Sequence, residues 1–154
     1  MKINFKALAS SILPSVIVGT LSGILIMENI DFYERINIPS FAPPRYLYSI
    51  VWAVMYLIIG IATYFIATTE GERKKIPLWL FAVGLFMNFV WPVLFFRFEL
   101  ICFTAIWLVL MFVLAIVTTV FYFKNRTLSG FLYLPYTIWL CYVSVLNISI
   151  CLIN

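Results

Sequence analysis

Five stretches without a charged residue run through this chain, at 7–27, 46–69, 76–96, 100–123 and 127–154, and the shortest is 21 residues long. A helix rises about 1.5 Å per residue, so roughly 20 residues cross a hydrocarbon core of about 30 Å. Within that core every backbone N–H and C=O needs a partner, which an isolated apolar run finds only as a helix. A spanning β-barrel would show alternating segments of about ten residues instead, and the chain has none. With 65% hydrophobic and 10% charged residues, it cannot clothe itself in a soluble surface, where about a quarter of residues are charged. The expectation is an all-α membrane protein, a single domain over 1–154 built as a bundle of five transmembrane helices. The spans fall at about 7–29, 46–69, 76–97, 100–123 and 128–152, with a lid loop at 30–45.

The charges between the runs orient the bundle. Lys2, Lys6, Arg73, Lys74, Lys75, Lys124 and Arg126 fall on one side, against Arg35, Arg45 and Arg97 on the other. Basic residues favour the cytoplasmic side, so the expected protein sits in the cell membrane with its N-terminus inside and its C-terminus and lid outside. The same bases explain the net charge of +4 without any patch that nucleic acid would need. Lys2 and Lys6 precede an apolar run too long for a signal peptide's core of about 7–15 residues. No Ala-x-Ala-like site follows it, so the first segment is expected to be retained.

Much chemistry is excluded by what is missing. There is no histidine, and no ionisable residue lies mid-span, which argues against a pump or an ion-coupled transporter. No catalytic triad, phosphate-binding loop or metal-ligand spacing is present, so no obligatory cofactor and no metal are expected. Cys102, Cys141 and Cys151 all fall inside apolar runs, where buried free thiols are the ordinary state.

The most informative segment joins the first two spans. In Pro39-Ser-Phe-Ala-Pro-Pro-Arg45 the prolines remove backbone donors and push their predecessors out of the helical region. An extended loop therefore enters the second helix directly after Pro44, with Tyr46, Tyr48 and Trp52 at the entrance. In that helix Trp52, Tyr56 and Gly60 share a face; in the third, Asn88, Trp91, Pro92 and Phe95 do. In the fifth, Pro135, Trp139, Tyr142 or Val143, and Leu146 share one, with Asn147 on the adjacent row. An unpaired amide in hydrocarbon costs several kcal/mol, so Asn88 points inward, either to bind a neighbouring helix or to meet a ligand. The fourth span reads as scaffold. Ser15, Gly19 and Gly23 form a small-residue stripe on the first, suited to close packing within the bundle or between two copies. These faces describe either a pocket for a large, flat, apolar molecule or an aromatic-rich membrane core that holds no ligand.

Taken in order, Tyr33 to Pro44, Trp52-x3-Tyr56-x3-Gly60, Asn88-Phe-Val-Trp91-Pro92-Val-Leu-Phe95-Phe96 and Leu134-Pro135-Tyr136-x-x-Trp139 with Leu146-Asn147 resemble the translocator protein (TspO, peripheral benzodiazepine receptor) family across nearly the whole chain. The resemblance implies a five-helix bundle, commonly a homodimer in the lipid bilayer, that binds porphyrins of the protoporphyrin IX type and benzodiazepine-type ligands. It implies a receptor or carrier in tetrapyrrole handling and stress responses, or a light-dependent protoporphyrin-degrading enzyme, or a ligand-responsive signalling scaffold. By the same resemblance Trp52, Asn88 and Trp139 are pocket residues, with Tyr33, Pro43 and Phe95 near them. Tyr56, Trp91, Tyr142, Val143 and Leu146 complete the expected ligand site, and no catalytic residue is assigned. Phe41 stands at the family's lid tryptophan, Trp107 at an acidic position of the fourth helix, and Ile148 and Leu152 in place of the cholesterol consensus. Tyr142 and Val143 replace small residues, which narrows the expected cavity.

Overall fold

The computed structural model describes residues 4–154; Lys2, counted above among the bases, lies outside the described residues. Helix α1 runs over Phe5–Glu28, α2 over Ile30–Arg35, α3 over Arg45–Ala67, α4 over Lys75–Pro92, α5 over Ile101–Asn125 and α6 over Thr127–Ile153. Among the described residues five helical spans are long and apolar enough to cross a membrane: α1, α3, α5, α6, and α4 with its continuation to Arg97. α1 packs on α3, α3 on α6, α6 on α5, α5 on α4, and α4 back on α1, so the spans close a ring.

Local chemistry sets the ends. The Asn4 side chain caps α1 by accepting from the Ala7 N–H at 3.1 Å. The lid at 30–45 is not loop throughout: it opens with the short helix α2, whose Asp31 and Arg35 sit at the helix ends that favour their charges. Beyond Ile36 the prolines keep the chain out of a helix until Arg45, and Pro44 is the N-cap of α3. At the end of α4, Pro92 has no N–H for the Asn88 carbonyl. The turn widens there into a π-helical stretch over Val93–Arg97, and the Phe98 N–H donates five residues back to Val93 at 3.0 Å. Glu99 then turns the chain in a left-handed conformation (φ 56°).

Glycine lets α1 and α3 approach closely around their middles. A Cβ on Gly60 would lie 3.0 Å from the Ile12 Cα, and one on Gly19 would lie 2.5 Å from the Tyr56 ring. Only glycine lets these surfaces touch, so the small-residue stripe works within the bundle. Buried hydroxyls join other helices: Thr63 to Tyr122 at 2.7 Å, and Thr119 to Thr137 at 2.7 Å. Trp107 donates its indole N–H to the Met87 carbonyl at 3.1 Å, tying α5 to α4.

The cysteine expectation is corrected by the structure. Cys102 and Cys151 form a disulfide with Cα atoms 4.9 Å apart, and only Cys141 is free, on an exposed face. The reason is geometric. One residue, Arg126, joins α5 to α6 as an antiparallel pair, which brings the start of α5 level with the end of α6.

Candidate functional site

Between α1, α3, the end of α4 and α6, on the lid side of the bundle, lies a cavity of about 700 Å³. It exists because α1 and α3 part above their glycine contacts: a Cβ on Gly23 would meet nothing within 4 Å. The opening between the two helices is edged by exposed side chains such as Thr20, Ser49 and Leu57.

Tyr48, Trp52 and Tyr56 recur at four-residue spacing on α3 and all line the cavity. Trp52 is the hub of its wall. Its ring stacks on Trp91 at 5.7 Å and 28° between planes, contacts Tyr56 at 5.7 Å, and meets Trp139 edge-on at 6.3 Å. Trp91 stacks in turn on Phe95 at 6.4 Å, so a continuous aromatic surface runs from α3 onto the π-helical stretch. Val143, Leu146 and Asn147 of α6 form the opposite wall, and Tyr33 of α2 reaches in from the lid.

Of the residues singled out in the sequence, Tyr33, Trp52, Tyr56, Trp91, Phe95, Val143 and Leu146 line the cavity. Trp139 does not; it stands behind Trp52 and Tyr48, whose ring it meets at 6.1 Å. Tyr142 and Pro43 also lie off the lining, and the Tyr142 hydroxyl donates to the Phe41 carbonyl of the lid at 3.1 Å. Asn88 is buried away from the cavity. Its amide nitrogen donates to the Gly84 carbonyl at 2.8 Å and the Tyr136 hydroxyl at 2.6 Å, which joins α4 to α6. The sequence reading had not placed Tyr48, Phe96, Gly23 or Asn147 in the site. Tyr48 shares the Trp52 face, and Asn147 is a second amide in hydrocarbon, so both signals were present.

Four lining groups keep unspent hydrogen-bonding capacity among the described residues: the Ser22 and Tyr48 hydroxyls, the Trp91 indole N–H and the Asn147 amide oxygen. The Asn147 nitrogen donates to the Val143 carbonyl at 3.0 Å, which fixes the orientation of the amide. The cavity therefore offers a molecule two hydroxyls, an indole donor and an amide acceptor between apolar and aromatic walls. Charge appears only at the rim, where Arg45 pairs with Glu34 at 2.6 Å and lies 5.8 Å from the Tyr33 ring centroid. Burial raises the Tyr33 phenol above its ordinary pKa of 10.0, outweighing the opposing pull of Tyr48 and Arg45, so it stays a neutral donor.

Several contacts hold the lid down. Arg35 pairs with Glu99 at 2.7 Å, beside the start of α5. The Asn37 N–H donates to the Asn154 side-chain oxygen at 2.8 Å, and the Asn154 amide nitrogen donates back to the Asn37 carbonyl at 3.0 Å. Phe32 packs edge-on against Phe95 at 5.5 Å.

Five apolar spans around an aromatic-walled cavity define a multi-pass membrane protein. The TspO/MBR family profile matches residues 10–153, and the chain belongs to that family. It is 29% identical to "Tryptophan-rich protein TspO" of Archaeoglobus fulgidus, covering 98% of this chain and 99% of that one. It is 30% identical to "Translocator protein" of Sus scrofa over 85% of this chain and 82% of the relative. "Protein CrtK" of Rhodobacter capsulatus is 27% identical over 80% and 78% of the two chains.

Proposed function

We propose that this protein is a receptor or carrier for porphyrin-type tetrapyrroles within the bilayer, and that the same cavity takes benzodiazepine-type ligands. One observation carries the reading: a cavity of about 700 Å³ walled by the stacked Trp52 and Trp91 rings and lined by a few unspent polar groups, among them the Trp91 N–H and the Asn147 amide oxygen. Volumes of about 300–1,000 Å³ suit small-molecule sites, and stacked rings favour a flat conjugated ligand. Arg45 at the rim supplies a positive charge suited to acidic substituents of such a ligand. The gap between α1 and α3 faces the hydrocarbon layer, the phase in which an apolar macrocycle is dissolved.

Titrating the purified protein with protoporphyrin IX while following tryptophan fluorescence tests this. Saturable quenching that weakens in Trp52→Phe is the expected result. Quenching that never saturates, or is identical in wild type and Trp52→Phe, would overturn it.

The run of rings from Trp139 through Trp52 to Trp91 favours a second reading, light-dependent degradation of the bound porphyrin with dioxygen as oxidant. Absorbance changes in light and air, absent in the dark or under argon, would mark it. A homodimer in the cell membrane, with the N-terminus cytoplasmic and the C-terminus and lid outside, completes the reading. It rests on the family resemblance and the bias of basic residues.

A further inference from the structure

Among the described residues, the polar latches that tie the lid to the ends of α5 and α6 lie within three residues of a bridged cysteine. Glu99, which holds Arg35, is three residues before Cys102; Asn154, which holds Asn37, is three after Cys151. Both latch residues and both cysteines line one open hollow of about 380 Å³ at the surface. Cys102 is exposed there, so a small thiol can reach the sulfur atoms. Glu99 also sits in the left-handed region at φ 56°, which a residue with a Cβ holds only when its surroundings impose it.

We propose that the Cys102–Cys151 bridge is a thiol–disulfide exchange site whose state sets how firmly the lid closes the cavity. Oxidised, it locks the first turn of α5 to the last turn of α6 and so keeps Glu99 and Asn154 at the spacing the lid needs. A dithiol reductant opens it in two displacements. One thiolate attacks a bridge sulfur to give a mixed disulfide and a free cysteine thiolate; the second thiol then displaces the other cysteine. The reductant leaves as its own disulfide, and the two cysteines together gain two electrons and two protons. The rest of the α5–α6 contact is long and includes the Thr119–Thr137 hydrogen bond, so the helices stay paired while their lid-side ends separate. The lid then keeps the Tyr142 contact to Phe41 and the Arg45–Glu34 pair but loses its hold on the lid-side ends of α5 and α6. On the proposed reading of the cavity, ligand exchange becomes faster. The latch itself does not depend on that reading.

Hydrogen–deuterium exchange on the full-length protein in nanodiscs, with and without dithiothreitol, tests the two separately. Mass spectrometry after alkylation confirms the state of the bridge. Reduction should speed exchange at the Asn37 amide about five- to tenfold, the loss of roughly one net hydrogen bond. Amides in the inner halves of α1 and α3 should not change. Cys102→Ser/Cys151→Ser should behave as reduced protein does, and Asn154→Ala should exchange fast in both states. Unchanged exchange at Asn37 after complete reduction overturns the latch. So does a rise spread equally over every helix, which would make the bridge a general staple. Protoporphyrin dissociation rates are then measured on the same samples: faster release on reduction supports the coupling to the cavity. Loosening of the lid without any saturable porphyrin binding in either state would leave the latch standing and remove the ligand reading.

Discussion

Two glycines one helical turn apart on α1 should respond in opposite ways to the same substitution. At Gly23 an added Cβ meets nothing within 4 Å. Replacing glycine by alanine in a helix then lowers the entropy of the unfolded chain without strain, a gain of about 0.5–1 kcal/mol. At Gly19 the same methyl would lie 2.5 Å from Cδ2 and 2.9 Å from Cγ of Tyr56, well inside the contact distance of about 3.5–4.0 Å. Tyr56 is buried at 6% exposure, so its ring cannot swing away freely. Overpacking costs about 1–3 kcal/mol, and subtracting the helix gain leaves Gly19→Ala destabilising by about 0–2.5 kcal/mol. Gly23→Phe carries the argument into function: its ring would enter the cavity, and porphyrin affinity should fall about tenfold or more, near 1.4 kcal/mol. Melting temperatures in one detergent, followed by porphyrin titration of the folded variants, read both effects. The reasoning is refuted if Gly23→Ala melts below wild type. It is refuted equally if folded Gly23→Phe binds as wild type does.

Trp52→Phe shrinks the ring that meets Tyr56, Trp91 and Trp139, and porphyrin affinity should fall about 2- to 12-fold, the worth of one aromatic pair. Trp139→Phe, behind that wall, should cost less, and Trp107→Phe should leave affinity unchanged; an equal loss at Trp107 would show that the walls are misassigned. Asn88→Leu strands the buried Tyr136 hydroxyl and should destabilise the fold by about 1–3 kcal/mol, most of which returns in Asn88→Leu/Tyr136→Phe. Thermal unfolding of the two variants checks this, and an equally unstable double variant contradicts it. A membrane-impermeant thiol reagent applied to intact cells should label Ser40→Cys and not Lys74→Cys, and the opposite pattern would invert the topology.

The helices could be read from the sequence because the membrane imposes a coarse rule: uncharged length decides them. The lid's first turn was hidden because Ile30–Arg35 is short and has no periodicity to display. Site residues were legible where four-residue spacing aligns rings, as at Trp52 and Tyr56, since one helix face is a local property. Which side of Trp139 faces the cavity depends on helix rotation, which neighbouring helices set and periodicity does not. Asn88 and Asn147 show the same limit. Both amides need partners in hydrocarbon, but only the packing of α4 on α6 decides that Asn88 meets Tyr136. The disulfide left a trace that composition obscured. Cys102 lies 24 residues before Arg126 and Cys151 lies 25 after it, so an antiparallel pair turning at Arg126 must bring them level.

The position of the cavity follows from where small residues and prolines occur along the spans. On α1 and α3, glycine permits close contact at Gly60, in the half of α3 away from the lid, and at Gly19, against Tyr56 at mid-span. Toward the lid the facing surfaces carry Tyr48 and Trp52, whose bulk holds the two helices apart. Across the ring, Pro92 stops the α-helical register one turn before the lid, and the wider π-helical turn presents Phe95 and Phe96 to the same space. That leaves an aromatic space with a floor of packed helices and a roof of stiff, latched chain. Its open flank lies between α1 and α3, toward lipid. A ligand suited to this shape must be flat enough to lie against Trp52 and Trp91 and apolar enough to arrive through the bilayer.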